Sequence, residues 1–348
     1  MNVGIYDPYL HILGGAERYI LNIACCLSQD HKIILFSDNA KLLLEAEKKF
    51  GLKLGQIEVR TWPKDRSARQ HELKEFDQFF YVTDGSLFFS PAKQNLLIIQ
   101  SPDHIPANNL TNKIKFLSWR KIICYSEFMA EIIKKRLGKT AHTLFVPVAQ
   151  TQNLHTAKEN LLISVGRFFP HLHNKKQKEM VGILRALLKQ ETIKVKLCLV
   201  GSVDPDGDAY FKQVTEETAG LPVEILIKAS AQTLNALLDR AKIYWHATGY
   251  GEDLVKHPER AEHFGVSTIE AMAHGAVPIV FPAGGQLEIV NNGQNGFWWR
   301  TPQELIKYTL ELLQNDKLRE KLAQAAQKSS ANYSEDKFCE KLHEILKS

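Results

Sequence analysis

Short apolar runs of strand length recur along this chain, each separated from the next by a stretch of helical spacing or by a turn, and no other feature constrains the fold as much. In the first half the runs are Asn2 to Tyr6, Lys32 to Phe36, Ile57 to Trp62, Phe79 to Val82, Asn95 to Gln100 and Lys121 to Tyr125. Helices are expected over Ala16 to Leu27, where Tyr19, Ile20, Ile23, Ala24 and Leu27 fall at helical spacing, and over Lys41 to Phe50. The second half repeats the pattern with strands at Leu161 to Val165, Lys196 to Val200, Val223 to Ile227, Ile243 to His246 and Pro278 to Phe281. Helices are expected near Lys178 to Lys189, Ala209 to Thr218, Gln232 to Asp239 and Ser267 to His274, with more toward the C-terminus. Such alternation specifies an α/β fold with parallel sheets covered by helices on both faces.

The two series are separated by Gln150 to Asn160 (QTQNLHTAKEN), a polar stretch without apolar periodicity. A chain of 348 residues is also long enough for about two domains of roughly 150 residues. We therefore expect two doubly wound domains facing a central cleft, over residues 1–152 and 153–330, followed by a C-terminal helix over 331–348. Ligands of such sheets bind at the carboxyl ends of the strands, so residues just after each strand are the ones to read for chemistry.

Composition removes several classes. With 44% apolar and 24% charged residues the chain is neither disordered nor fibrous. Its longest apolar runs, such as Ala276 to Ala283, fall short of the roughly 18 residues a membrane-spanning helix needs. The opening MNVGIYDPYL has neither a basic nor an apolar leader region, so a cytoplasmic protein is expected, at the inner face of the membrane if it meets one. Five cysteines without a CxxC pair are expected to be reduced structural thiols. The net charge of +5 sits in the first half: residues 1–150 carry 20 Lys/Arg against 15 Asp/Glu, whereas residues 151–348 carry 24 of each. Between Lys113 and Lys139 eight basic residues face only Glu127 and Glu131. A basic face suits an anionic membrane surface or a phosphorylated substrate, and equally an ordinary solvated helix face; no nucleic-acid module accompanies it.

Three segments carry candidate chemistry. Gly14-Gly15-Ala16-Glu17 lies between the first strand and the first helix, where glycines permit close backbone approach and helix-opening amides favour an anion. Ser164-Val165-Gly166-Arg167 follows the first strand of the second series, with Lys175 eight residues later; two such cations could converge on a diphosphate leaving group. Glu262-His263-Phe264-Gly265-Val266-Ser267-Thr268-Ile269-Glu270 places two carboxylates around a glycine turn and a helix start, and carboxylates accept paired hydrogen bonds from sugar hydroxyls.

Together these segments resemble the retaining glycosyltransferases of family 4, which have the GT-B fold of two Rossmann-like domains. The likeness rests on GGAER at 14–18, SVGR at 164–167, Lys175 and above all EHFGVSTIEAMAHGAVPIVFPAGGQLEIVNNGQNGF at 262–297, and it extends over most of the chain. The EHFG form and Tyr244-Trp245-His246 are most like the branch containing the eukaryotic lipid-linked oligosaccharide mannosyltransferase. The resemblance implies a nucleoside diphosphate sugar as donor substrate, with no cofactor and no metal. Arg167 and Lys175 would neutralise the donor diphosphate, with Lys176 as a substitute for Lys175. Glu270 would bind the ribose and Glu262 the donor sugar. The amides of Phe264 and Gly265 would approach the sugar or β-phosphate, Gly14 and Gly15 would line the cleft, and Ile227 to Ser230 would flank the base. The last helix, around Ser334 to Leu346, would cross back onto the first domain.

One departure stands out. Where many members carry a histidine in a His-x-Pro segment that contacts the donor sugar, this chain reads Gln100-Ser101-Pro102; Gln100 would take that donor-binding place, and glutamine bonds a hydroxyl but transfers no proton. His104 either compensates or is an exposed loop residue. The connection Thr248 to Ala261 is longer than the family's and reads as a lid or a surface insertion, and Asp204, Asp206 and Asp208 read as a solvated turn rather than a metal loop. The sequence thus points to transfer of a sugar, from GDP-mannose or a UDP-sugar, to a hydroxyl of a glycan or lipid-linked acceptor, with peripheral membrane contact through the basic first domain. Two alternatives remain: a noncatalytic nucleotide-sugar-binding subunit and a GT-B nucleotide-sugar epimerase.

Overall fold

A computed structural model describes the chain apart from residues 40, 152–155, 173, 192 and 205. It forms two compact units, one of Met1–Pro147 with Glu335–Ser348 and the other of Val148–Ser334. The boundary expected at 152/153 lies outside the described residues.

Unit 1 is built on a parallel sheet of seven strands: β1 (Asn2–Tyr6), β2 (Lys32–Phe36), β3 (Glu58–Arg60), β4 (Gln78–Val82), β5 (Gln94–Ile98), β6 (Lys121–Cys124) and β7 (His142–Thr143). Their order is β3-β2-β1-β4-β5-β6-β7, so the chain winds outward from β1 in both directions. The helices are α1 (Gly15–Leu27), α2 (Leu42–Phe50), α3 (Arg66–Leu73), α4 (Leu110–Lys115) and α5 (Glu127–Leu137). The central strand β4 is buried at every residue, as expected for a strand covered on both faces.

Unit 2 carries a parallel sheet of six strands: β8 (Glu159–Val165), β9 (Lys196–Gly201), β10 (Val223–Ile227), β11 (Ala241–His246), β12 (Val277–Val280) and β13 (Phe297–Trp298), in the order β10-β9-β8-β11-β12-β13. Around it lie α6 (Gln177–Gln190), α7 (Asp208–Glu217), α8 (Ala231–Arg240), α9 (Val266–Ala273), α10 (Gln286–Ile289), α11 (Pro302–Gln314) and α12 (Asp316–Ser330). Strand side chains alternate between two cores. Leu162, Leu197, Leu199, Ile243 and Trp245 pack toward α6 and α11, while Leu161, Ile163, Cys198, Val200 and Tyr244 pack toward α8 and α9.

The last helix, α13 (Glu335–Lys347), belongs to unit 1. It buries Phe338, Leu342 and Ile345, one face at helical spacing, and Phe338 meets Tyr19 of α1 edge-on at 5.7 Å. The ammonium of Lys121 donates to the carbonyl of Ile345. Cys26 of α1 and Cys339 of α13, with Cα atoms 5.8 Å apart, are joined as a disulfide. That corrects the expectation of five reduced thiols; Cys25, Cys124 and Cys198 are free. Spacing could not reveal the pair, because 313 residues separate its members. Among the described residues no helix is long and apolar enough to cross a membrane.

Candidate functional site

His246 ends β11 two residues after Tyr244 and so shares the face that looks toward α9. There its Nε2 lies 3.0 Å from Glu262 Oε2, and Lys175 Nζ reaches the same oxygen at 2.5 Å. All three side chains are largely buried, at 3%, 13% and 16% exposure for His246, Glu262 and Lys175. Burial is the largest single influence on Glu262 and opposes its charge, yet the Lys175 ammonium and the His246 hydrogen bond together hold its carboxyl well below the usual carboxylate range. Desolvation dominates at His246 and pushes its pKa down against the pull of Glu262. At neutral pH the cluster is therefore an ammonium, a carboxylate and a neutral imidazole whose Nε2–H donates, since a carboxylate only accepts.

The expected cations separate into distinct places. The stem of Lys175 lies over Gly166, where an added Cβ would stand 2.6 Å from Lys175 Cγ, so a side chain there would displace the lysine. Arg167, next in sequence, is half-exposed and meets Asp204 Oδ2 at 3.0 Å. Gln177 holds this loop by donating to the carbonyls of Gly166 and Arg167 at 3.3 and 3.1 Å. Lys176 turns away: with φ of 60° it caps α6, and its Nζ bonds Glu252 Oε1 at 2.6 Å. Arg260 binds the other oxygen of Glu252 at 2.8 Å. Lys176 is thus the residue that ties down the 248–261 connection, and Lys175 the one that meets Glu262.

Glu262 to Glu270 forms a turn into α9. Gly265 caps the helix with φ of 120°, a conformation closed to side chains, and an added Cβ would also collide with the amide of Gln286. Gln286 Nε2 donates to Thr268 Oγ1 at 3.0 Å. Gly285 N donates to the Glu262 carbonyl at 2.8 Å, and an added Cβ at Gly285 would overlap the Phe264 backbone. The glycine pair at 284–285 is therefore what fixes the Glu262–Gly265 turn. Phe264 is buried, its ring 5.7 Å from that of Tyr333, and Glu270 stands half-buried on α9. At the end of β10, Ser230 caps α8 through Thr233 N at 3.1 Å, and Lys228 has φ of 56°.

In unit 1, Gly14 and Gly15 open α1, and Gly14 N donates to Glu17 Oε2 at 2.6 Å. Gln100, buried just past β5, donates from Nε2 to the Ala16 carbonyl at 3.3 Å. The glycine loop and Gln100 are thus in one place. His104 is half-buried against Tyr9, the rings 5.5 Å apart. The carboxyl ends of β1, β2 and β3 surround a recess of about 590 Å³ that includes Asp7, Asp38, Trp62 and Lys64. Burial pushes the Asp7 carboxyl up to about 7, although the Tyr9 amide bonds Oδ1 at 2.9 Å. Among the described residues no group of three or more His, Cys, Asp or Glu is placed to hold a metal ion. Asp206 and Asp208 are exposed as expected, but Asp204 is held against Arg167 rather than solvated. Sequence reading did not pair His246 with Glu262; the signal was its place at the end of β11, two residues beyond a buried tyrosine.

A family model described as glycosyl transferases group 1 matches residues 147–329, more than half of the chain. The chain belongs to this family. A relative from Dictyostelium discoideum, named GDP-Man:Man(3)GlcNAc(2)-PP-Dol alpha-1,2-mannosyltransferase, is 26% identical over 233 residues, covering 62% of this chain and 44% of its own length. A relative of the same name from Caenorhabditis elegans is 22% identical over 435 residues, covering 97% of this chain and 88% of its own. Among solved structures, Anabaena Alr3699/HepE in complex with UDP superposes with a TM-score of 0.74 at 19% identity over 99% of both chains. Sucrose-phosphate synthase from Thermosynechococcus elongatus superposes with a TM-score of 0.69 at 14% identity, over 100% of this chain and 98% of its own. These likenesses show the GT-B fold of two parallel-sheet α/β domains.

Proposed function

We propose that this protein is a retaining, metal-independent glycosyltransferase of family 4. It takes a sugar from a nucleoside diphosphate sugar, GDP-mannose first and UDP-sugars next, to a hydroxyl of a glycan or lipid-linked acceptor. The observation that carries the reading is the turn from Glu262 into α9, held by Gly285 and charged by Lys175. A buried carboxylate at a helix-opening glycine turn, paired with a lysine whose stem lies over Gly166, the residue before half-exposed Arg167, suits a ligand with hydroxyls at one end and a diphosphate at the other.

In this reading Lys175 and Arg167 neutralise the charge that develops on the leaving diphosphate, Arg167 exchanging Asp204 for phosphate. Glu262 orients hydroxyls of the donor sugar, Glu270 those of the ribose, and the amides of Phe264 and Gly265 approach the sugar or β-phosphate. Retention in this reading comes from attack on the leaving-group face, with the departing phosphate accepting the acceptor's proton. Gly14, Gly15 and Gln100 serve the donor, Gln100 standing where the family's histidine contacts the donor sugar. Gln100 is bonded to Ala16 and transfers no proton, so it positions the glycine loop. The names of the relatives support a GDP-mannose donor and a lipid-linked acceptor. A lipid-linked acceptor and the basic unit 1 support peripheral contact with a membrane, at whose cytoplasmic face this reading puts the protein.

The test is thermal denaturation of the full chain with GDP, UDP, ADP and their sugar conjugates, for wild type, Arg167→Ala and Glu270→Ala. Ligand at about 100 times Kd adds about 2.7 kcal/mol of native-state stability. A rise with one nucleotide family, lost in both variants, supports the donor site; no rise with any donor in folded wild type refutes it. Because Gln100 stands where a histidine is usual, a noncatalytic donor-binding subunit is the second reading. It predicts the same thermal shift but no product with any acceptor, whereas an epimerase yields an altered donor without acceptor.

A further inference from the structure

The helix α4 and the 3-10 turn Phe116–Ser118 that continues it expose apolar side chains that a folded chain ordinarily buries. Leu110, Ile114 and Leu117 are 74%, 57% and 82% exposed, and their spacing puts them on one face. Phe116 and Trp119 point the other way, into the core, and anchor the segment; the Trp119 indole donates to the Phe88 carbonyl at 2.8 Å. Phe89, half-exposed, is beside this ridge, since Ser90 N bonds Ser118 Oγ at 3.2 Å.

The same ridge is rimmed with cations. Lys113 and Lys115 flank Ile114 on the segment itself. The basic end of α5 adjoins it: Asn108 Nδ2 donates to the Arg136 carbonyl at 3.1 Å, and Lys139 Nζ sits 4.9 Å from the Phe116 ring centroid. Lys134, Lys135 and Arg136 are exposed there. Glu131 is the one carboxylate on the neighbouring turn of α5, and Glu127 is at that helix's far end. A ridge of leucine and isoleucine inside a ring of lysine and arginine matches a bilayer surface, with apolar chains below the headgroups and anionic phosphates around them.

We propose that the α4 ridge, Leu110, Ile114, Leu117 and Phe89 with the surrounding lysines and Arg136, docks the protein on an anionic lipid bilayer. This deepens the peripheral membrane contact proposed above and uses nothing from the donor site, so it is tested without nucleotide. The protein is sedimented with phosphatidylcholine vesicles containing about 30 mol% phosphatidylglycerol, which gives them an anionic surface, and with pure phosphatidylcholine vesicles. We expect wild type to pellet with the anionic vesicles, at least about tenfold more strongly than with neutral ones, and to be released as salt screens the lysines. Leu110→Ser/Ile114→Ser/Leu117→Ser and, separately, Lys113→Glu/Lys134→Glu/Lys135→Glu should each weaken binding about tenfold or more with unchanged thermal midpoint, because these side chains are exposed. The proposal is overturned if wild type stays in the supernatant, if either variant pellets as wild type does, or if sedimentation velocity shows that the ridge instead closes a dimer that the serine variant dissolves. A donor-induced thermal shift retained in both variants would keep the donor reading intact whatever the vesicles show.

Discussion

Replacing Lys175 by Met keeps the stem that covers Gly166 and removes only the charge that faces Glu262. Removing one partner of a buried ion pair costs about 3–5 kcal/mol. Here the side chains are 16% and 13% exposed and His246 still donates to the carboxylate, so a loss of about 2–3 kcal/mol is the better figure. For a unit of this size that is about 4–12 °C in thermal midpoint. The pH dependence follows from the sign of the Glu262 shift. In wild type its folded pKa is depressed, so its contribution is present above the unfolded value and is lost only as pH falls through the lower folded one. Without the ammonium, burial is opposed by His246 alone and the carboxyl moves up from its depressed value, so the variant is most impaired near pH 8 and recovers relative to wild type as Glu262 takes a proton at lower pH. Thermal denaturation of wild type, Lys175→Met, Glu262→Gln and the double variant from pH 5 to 8 reads this directly. A deficit of the same size at every pH, with no relief in the double variant, would show that Lys175 acts by packing on Gly166 and would refute the charge argument.

Other outcomes follow from single features. Asp7→Asn should raise the midpoint at pH 8: the Asp7 pKa is raised to about 7, so the folded state is penalised increasingly above the ordinary carboxylate range and fully above about 7, and the gain should fade as pH falls through 7 toward 4. Gly265→Ala should cost about 1–3 kcal/mol from backbone strain and abolish the donor-induced thermal shift, because the φ of 120° and the Gln286 contact both forbid a side chain. Alkylation of the denatured, unreduced protein should label three of the five cysteines, and Cys339→Ser should lower stability by about 2–4 kcal/mol; labelling of all five would refute the Cys26–Cys339 link.

The strands could be read because each of the longer ones is a run of apolar residues bounded by turns, and the helices because their buried faces recur at helical spacing. The strands that escaped, β7 and β13, are two residues long and exist by pairing with β6 and β12, which leaves no run to see. The glycines at 265 and 284–285 were visible as a motif, yet their purpose was not: only the structure shows that Gly285 stands against the Phe264 backbone. Lys175 and Glu262 were picked out one by one, but their contact spans 87 residues and closes only when β8 and β11 lie side by side in the sheet. Exposure of the ridge at Leu110 was equally illegible, since an apolar residue at helical spacing reads as core until its face is found empty.

The return of α13 to unit 1 gives the two units different histories during synthesis. Unit 2 is one uninterrupted stretch, Val148–Ser334, and has all its residues as soon as that stretch leaves the ribosome. Unit 1 begins earlier but must wait: Tyr19 and Cys26 lack Phe338 and Cys339 until all of unit 2 has been made. The first part of the chain therefore finishes folding last, with the apolar face of α1 uncovered in the meantime, so a ribosome stalled inside unit 2 would hold out a half-closed unit 1 to chaperones.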